Sequence, residues 1–270
     1  MKKMRALKTL MDMKGRKALV TGGAGHIGLA IAEALTELGA KVAVLDIDAA
    51  ACEARAKLLN RARAGCAVSI ACDLGDERAT RAAAREAASK LGGLDVLVHS
   101  AAYVGTTKVP GWAVPFGEQT TGAFEQALRV NLTSAFTLVH ESRAALARSG
   151  RGSVILLGSI YGVVGPDYSL YEGLTMANPV GYAASKGGLL QTVRHLSTTL
   201  SPRVRVNAIS PGGVLRGQPK PFIDRYEKKT PLGRMAVEED LKGAIAYLAS
   251  DLSAYVTGQN LMVDGGWTAW

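Results

Sequence analysis

The chain has 270 residues, 48% hydrophobic and 20% charged, with a formal net charge of +9. That composition is globular, excludes disordered and collagen-like classes, and allows a large core without covalent staples. Cys52, Cys66 and Cys72 include no CxxC pair, which argues against a disulfide framework or a structural zinc site and suits a reducing cytoplasm.

The charge is unevenly placed. Residues 1–17 carry a net +6 and residues 216–235 a net +4, which leaves −1 for the rest. No aromatic RNA-binding motif accompanies these stretches, so nucleic acid is not an expected partner. No apolar run reaches the roughly 18 residues that span a bilayer, so no membrane partner is expected either. Residues 1–15 read as a basic, solvated N-terminal extension without the apolar core of a signal peptide. Residues 16–270 read as one domain.

From residue 17 onward, short apolar runs alternate with helical patterns. The runs are Lys17–Thr21, Lys41–Asp46, Ala67–Ala71, Leu94–Val98, Ser153–Leu157, Val204–Ala208 and Asn260–Val263. Near-continuous apolar strands separated by helices are what a parallel sheet buried on both faces requires. Ile27, Ile31, Leu35 and Leu38 define the first helix face, and Gly39 stops it. The expected fold is α/β: a single doubly wound Rossmann domain with a mainly parallel seven-stranded sheet and helices on both faces.

The first strand runs into Gly22-Gly23-Ala24-Gly25-His26-Ile27-Gly28 and then the helix. Glycines here allow a sharp turn and close approach to a pyrophosphate at a helix N-terminus. Asp46 ends the next strand, 18 residues beyond Gly28, where a carboxylate accepts hydrogen bonds from the adenosine ribose and repels a 2′-phosphate. The expected cofactor is therefore NAD, and Asp48 reads as a helix cap.

Tyr182 and Lys186 stand four apart at the start of an apolar helical stretch, so both face one ligand. A nearby cation favours the phenolate and fits Tyr182 for proton transfer. Ser159 follows the strand Ile155-Leu156-Leu157. His26, His99, His140 and His195 have no ligand spacing, so no metal site is expected, and His26 and His99 read as neutral, loop-filling imidazoles.

These motifs, with Asp73-Leu74, Asn131, Pro211-Gly212 and the closing Gly258-Gln259-Asn260 and Val263-Asp264-Gly265-Gly266, resemble a short-chain dehydrogenase/reductase of the compact, single-domain type over residues 16–266. The resemblance implies that Tyr182 is the general acid/base and that Lys186 holds the nicotinamide ribose and lowers the Tyr182 pKa. Ser159 would bond the reacting oxygen, and Asn131 would support a water-linked proton relay. Gly22, Gly25, His26, Ile27 and Gly28 would cradle the pyrophosphate, Asp46 and Ile47 the ribose, and Asp73 and Leu74 the adenine. Ser100, Ala101 and Ala102 would support the cofactor, with Pro211, Gly212 and Val214 beside the nicotinamide. The chain departs from the family pattern at Gly25-His26, at His99-Ser100-Ala101-Ala102 in place of Asn-Asn-Ala-Gly, and at Arg216 in place of Thr.

Ser159 and Tyr182 are 23 positions apart, about twice the family's usual spacing. The extra residues, 166–176, read as a polar and aromatic loop at the substrate rim. Arg216, Lys220, Arg225, Lys228, Lys229 and Arg234 in the segment 216–235 could recognise a phosphate or carboxylate. Tyr171-Glu172-Gly173, Pro211-Gly212-Gly213 and the ending Gly265-Gly266-Trp267-Thr268-Ala269-Trp270 look like a flagellin-modification and surface-sugar subgroup. That likeness implies a polyhydroxylated sugar, whether free, phosphorylated or nucleotide-linked, as the small-molecule substrate. Reduction of 3-oxoacyl groups, general polyol or ketone reduction, and a non-catalytic dinucleotide sensor are the alternatives. Apolar residues at Phe124, Leu128, Leu132, Phe136, Leu189, Leu190 and Val193 exceed what one sheet face should consume, and the resemblance implies a homotetramer.

Overall fold

The computed structural model describes residues 4–104 and 107–270. In chain order its regular elements are α1 (Leu7–Met11), β1 (Lys17–Thr21), α2 (His26–Glu37), β2 (Lys41–Asp46), α3 (Ala49–Ala62), β3 (Ala67–Ala71), α4 (Glu77–Leu91) and β4 (Val96–His99). Then follow α5 (Thr121–Leu128), α6 (Ser134–Arg148), β5 (Gly152–Leu157), α7 (Val180–Thr199), β6 (Val204–Pro211), α8 (Lys220–Lys229), α9 (Lys242–Ala249) and β7 (Asn260–Val263). The seven strands form one sheet in the order β3-β2-β1-β4-β5-β6-β7, and every pairing is parallel.

Two-residue alternation divides the core. Val20, Val44, Val98 and Ile155 point to the face covered by α2, α3 and α9, where Ile31, Leu35, Leu59 and Ile245 meet them. Leu19, Leu45, Leu97 and Leu156 point to the other face, against Ala87 of α4, Leu138 of α6 and Leu189 and Val193 of α7. The register keeps like with like, pairing Leu19 with Ala43 and Val20 with Val44, so each strand feeds both cores. The strand order reverses between β1 and β4, where an open sheet leaves a crevice at its carboxyl edge.

The fourth strand lies slightly later than its apolar run suggests, and β6 runs three residues further. Its extra residues are held chiefly by β7: Ile209 pairs with Leu157 and Leu261, Ser210 with Met262 and Pro211 with Val263. A second correction concerns the apolar residues assigned to assembly. Leu189, Leu190 and Val193 are buried in the chain's own core, while Phe136 stays 48% exposed.

The basic N-terminal extension is mostly exposed over its described part, as a solvated segment would be, but it docks on the domain at Met13. Met13 is fully buried against the α2 face and donates its N–H to Leu38 O at 2.9 Å. Arg16 is buried and pairs with Asp251, which Arg5 also reaches at 2.6 Å. Apolar spacing in so short a segment gave no warning of this docking. Met13→Ala should lower unfolding free energy by about 2–4 kcal/mol through lost burial and a residual cavity. A urea midpoint equal to that of the parent protein would return the segment to the status of a tail.

Candidate active site

The turn between β1 and α2 is built for close backbone contact. A side chain on Gly28 would place its Cβ 2.0 Å from Gly22 O. Gly22 itself adopts φ +64°, and a Cβ there would meet Ala101 N at 2.7 Å. The glycine loop is thus pressed between its own helix and the segment after β4. Asp48, Asp76 and Thr120 cap α3, α4 and α5, yet α2 starts at Gly25 with no side-chain cap and no acid in its first turn. Its free N–H groups and positive dipole end suit an anionic diphosphate.

Asp46 closes on this turn, its carboxylate accepting from Ala24 N at 3.1 Å and Ile47 N at 2.8 Å. Ile47 and Asp73 are exposed, Leu74 is buried, and Asp73 accepts from Gly75 N at 2.8 Å. His26 is exposed, with its Nδ1 3.8 Å from Glu238. Arg55 of α3 donates to Ala24 O at 3.4 Å, a neighbour of the loop that sequence spacing did not reveal.

Ser159 follows β5, and Tyr182 lies in the first turn of α7. Both line a cavity of about 570 Å³ together with Ile27, Pro211, Gly212 and Val214. Lys186, one turn after Tyr182, is buried, with its Nζ 5.6 Å from the Tyr182 ring centroid and donating to Leu157 O at 2.6 Å. Asn131 sits in a π-helical turn, Arg129–Thr133, between α5 and α6, a local irregularity often found at functional sites. Its amide donates to Ser185 Oγ at 3.0 Å and accepts from Tyr103 N at 2.7 Å. The side chain therefore ties α7 to the segment after β4 and makes no hydrogen bond to Lys186 among the described residues.

Burial reverses one expectation about the pair. Desolvation raises the Tyr182 pKa, with adjacent Ser159 pulling the other way. Desolvation also lowers Lys186 from 10.5 to about 7. Burial thus shifts both groups toward their neutral forms, because removing either from water penalises its ionic form.

The rim residues 166–176 pack rather than hang free. Leu170 is fully buried with Phe222 and Tyr226 of α8, and Tyr171 and Met176 pack against the same cluster. The basic segment holds this rim in place. Arg225 donates to Leu170 O at 3.2 Å and Glu172 O at 2.7 Å, and Lys229 pairs with Asp167. Arg216 lies 3.2 Å from Glu238, Lys220 2.7 Å from Asp224 and Arg234 2.7 Å from Asp240. Five of the six basic side chains thus have partners within the chain, and only Arg216 among the described arginines and lysines lines the cavity. Tyr161 and Asn178 line it as well, although neither belongs to a motif legible in the sequence.

His99 is buried at the end of β4, with Nδ1 3.0 Å from Thr21 Oγ1 and no partner for Nε2. Burial first, and Lys186 second, lower its pKa from 6.5 to about 3.

A parallel sheet, an uncapped glycine turn at its switch point and a serine–tyrosine cavity at the same edge define a dinucleotide-linked oxidoreductase architecture. Residues 22–268 match the family described as Enoyl-(Acyl carrier protein) reductase. The chain is 33% identical to D-threitol dehydrogenase of Mycolicibacterium smegmatis, covering 95% of this chain and 94% of that one. It is 32% identical to galactitol 2-dehydrogenase (L-tagatose-forming) of Cereibacter sphaeroides, covering 97% and 99%. The NADPH-dependent 3-quinuclidinone reductase of Rhodotorula rubra superposes with a TM-score of 0.86 at 29% identity, covering 100% of this chain and 97% of that one. The chain belongs to the short-chain dehydrogenase/reductase family. It is an oxidoreductase, and its fold implies a nicotinamide dinucleotide cofactor.

The neutral state of His99 has a measurable consequence. Between about pH 3 and 6.5 the unfolded chain takes up a proton that the folded chain refuses, so stability rises with pH across that window and falls on acidification. His99→Asn should reduce the loss of stability between pH 7 and pH 5, measured as the shift in urea midpoint. An undiminished loss would assign the acid sensitivity to other groups.

Proposed function

We propose that this protein is an NAD-dependent dehydrogenase that interconverts a secondary alcohol and a ketone on an uncharged polyhydroxy compound, with Tyr182 as general acid/base. The observation that carries this reading is the placement of Ser159 and Tyr182 in one cavity with Pro211, Gly212 and Val214, and with Lys186 one turn behind. Two relatives bear the names of sugar-alcohol dehydrogenases, which supports a polyol. Arg216 is engaged by Glu238, so support falls on a neutral substrate rather than on a phosphorylated or nucleotide-linked sugar.

Gly22, Gly25, His26, Ile27 and Gly28 would hold the pyrophosphate at the uncapped start of α2. Asp46 and Ile47 would meet the adenosine ribose, and Asp73 and Leu74 the adenine. Ser100, Ala101 and Ala102 would support the cofactor from the segment after β4, while Pro211, Gly212 and Val214 would flank the nicotinamide. When bound, the nicotinamide supplies the hydride acceptor for the carbinol carbon. Ser159 orients the reacting oxygen, and Tyr182 takes the hydroxyl proton as the carbonyl forms. Lys186 would anchor the nicotinamide ribose and, as the ammonium, would stabilise the phenolate electrostatically. Asn131 acts by holding the π-helical turn and α7 in register behind that pair.

Asp46 favours NAD because its carboxylate, fixed by Ala24 N and Ile47 N, would face and repel a 2′-phosphate. We further infer a cytoplasmic homotetramer. Its support is the exposed Phe136 on α6 and three buried free thiols, and light scattering checks the assembly.

Oxidation of threitol or galactitol with NAD is the direct test, followed through nicotinamide absorbance. Tyr182→Phe should lower kcat by about 10²–10⁴-fold, the range of general acid–base catalysis, and leave NAD affinity nearly intact. Full activity in that variant would move the proton acceptor elsewhere, and NAD binding without turnover of any alcohol would favour a sensor. Since burial raises the Tyr182 pKa, the phenolate population grows with pH, and kcat/KM for oxidation should rise from pH 7 to pH 9. Asp46→Ala should narrow the calorimetric gap between NAD and NADP, and a parent protein that binds NADP as tightly would refute the assignment.

A further inference from the structure

We propose that Arg216 binds the diphosphate of the dinucleotide, and that Glu238 holds Arg216 at the crevice until the diphosphate displaces it. The inference rests on the dinucleotide reading above and adds a cation to a site otherwise built from backbone N–H groups.

A single carboxylate oxygen joins two parts of the site. Glu238 Oε1 lies 3.8 Å from Nδ1 of His26 and 3.2 Å from Nε of Arg216. His26 is the first residue of α2, at a helix start with neither a side-chain cap nor an acid in its first turn. Arg216 lines the cavity together with Ile27, the second residue of that helix. Arg216 therefore stands beside the end of α2 at which an anionic diphosphate is favoured. No other described arginine or lysine lines that cavity.

The backbone sets this arrangement. Leu215 N donates to Ala236 O at 2.8 Å and Ala236 N to Gly213 O at 2.9 Å, so the segments that carry Arg216 and Glu238 run side by side. Gln218 fixes the turn after Val214, accepting from Arg216 N at 2.6 Å and donating to Val214 O at 2.8 Å. Glu238 opens the short turn Glu238–Leu241, whose Asp240 accepts from Val237 N at 2.8 Å and pairs with Arg234. Lys242, just beyond, reaches Glu33 and Glu37 of α2 at 3.1 and 3.0 Å. The carboxylate thus rests on a base tied to α2, whereas the guanidinium sits on a long side chain.

Arg216 reaches Glu238 through Nε alone, and its two terminal amino groups have no hydrogen-bond partner among the described residues. A guanidinium carries five N–H donors in a fork that matches phosphate oxygens. The Arg216 and Glu238 side chains are 32% and 30% exposed, and an ion pair so open to water contributes little. Its exchange for a diphosphate costs correspondingly little. Glu238 is then a competitor as well as a holder, since its charge repels the phosphates that approach the same helix end. With Arg216 on the diphosphate, the cavity keeps no free cation for the substrate, in agreement with a neutral polyol.

ADP-ribose carries the adenosine and the diphosphate without the nicotinamide, so calorimetric titration with it reads the contact apart from turnover. Arg216→Ala should weaken ADP-ribose binding about tenfold to a hundredfold, the loss expected for a charge-assisted hydrogen bond. The same variant should weaken NADH and NADPH by equal factors, because the diphosphate is common to both. Glu238→Gln should tighten ADP-ribose binding about twofold to fivefold, the worth of one exposed ion pair. Thermal melting identifies any variant that fails to fold, and Arg216→Gln decides if the alanine variant does not fold. A folded Arg216 variant that binds ADP-ribose as tightly as the parent overturns the proposal and leaves the dinucleotide reading standing, as does Glu238→Gln with no gain in affinity. A parent protein that binds none of ADP-ribose, NADH and NADPH overturns that reading and the proposal together.

Discussion

All seven strands run the same way, and this direction is the constraint from which the site follows. Parallel pairing brings every carboxyl end to one edge, so Asp46, His99, Leu157 and Pro211 terminate their strands along a single line. The order reverses between β1 and β4, and crossovers on either side diverge to leave a crevice. The glycine turn fills the crevice's centre only because Gly22 and Gly28 allow backbone to meet backbone where a Cβ would clash. Neither the uncapped start of α2 nor the serine–tyrosine cavity would face a common ligand in an antiparallel arrangement.

Removal from water governs the chemistry at that edge. Tyr182, Lys186 and His99 all shift toward their neutral forms, and burial is the leading cause for each. No carboxylate is paired with Lys186 among the described residues; a carbonyl, Leu157 O, receives its proton donor instead. Such a pair stays responsive to what binds beside it, since a new dipole or charge in a dry site acts with little screening. Asn131 contributes by geometry, bonding Ser185 and Tyr103 from within the π-helical turn.

Outside the sheet, charge is used for assembly of the rim. The positive segment around α8 appears in the sequence as a candidate anion site, yet Arg225 and Lys229 grip the inserted loop while Arg216, Lys220 and Arg234 meet acids of the chain. These contacts are mostly at the surface, where each ion pair contributes little on its own. Only Arg225 and Lys229 reach the inserted loop, and through Leu170 O, Glu172 O and Asp167 they hold the segment that carries Tyr171.

The strands, the first helix and the glycine turn were legible in the linear chain because each depends on local period or local backbone freedom. Apolar alternation and the spacing of Gly22, Gly28 and Asp46 need no distant partner to be recognised, and Tyr182 with Lys186 follows from one helical turn. Docking of Met13, partners for the basic segment and the clustering of Tyr161, Tyr171 and Asn178 were invisible there. The longest of these contacts join distant residues: Lys229 meets Asp167 and Arg16 meets Asp251 across intervals that carry no periodic signal. The pKa directions were hidden for the same reason. A sequence shows a cation four residues from a phenol, but only the tertiary structure excludes the water that would have favoured the ionic form of each.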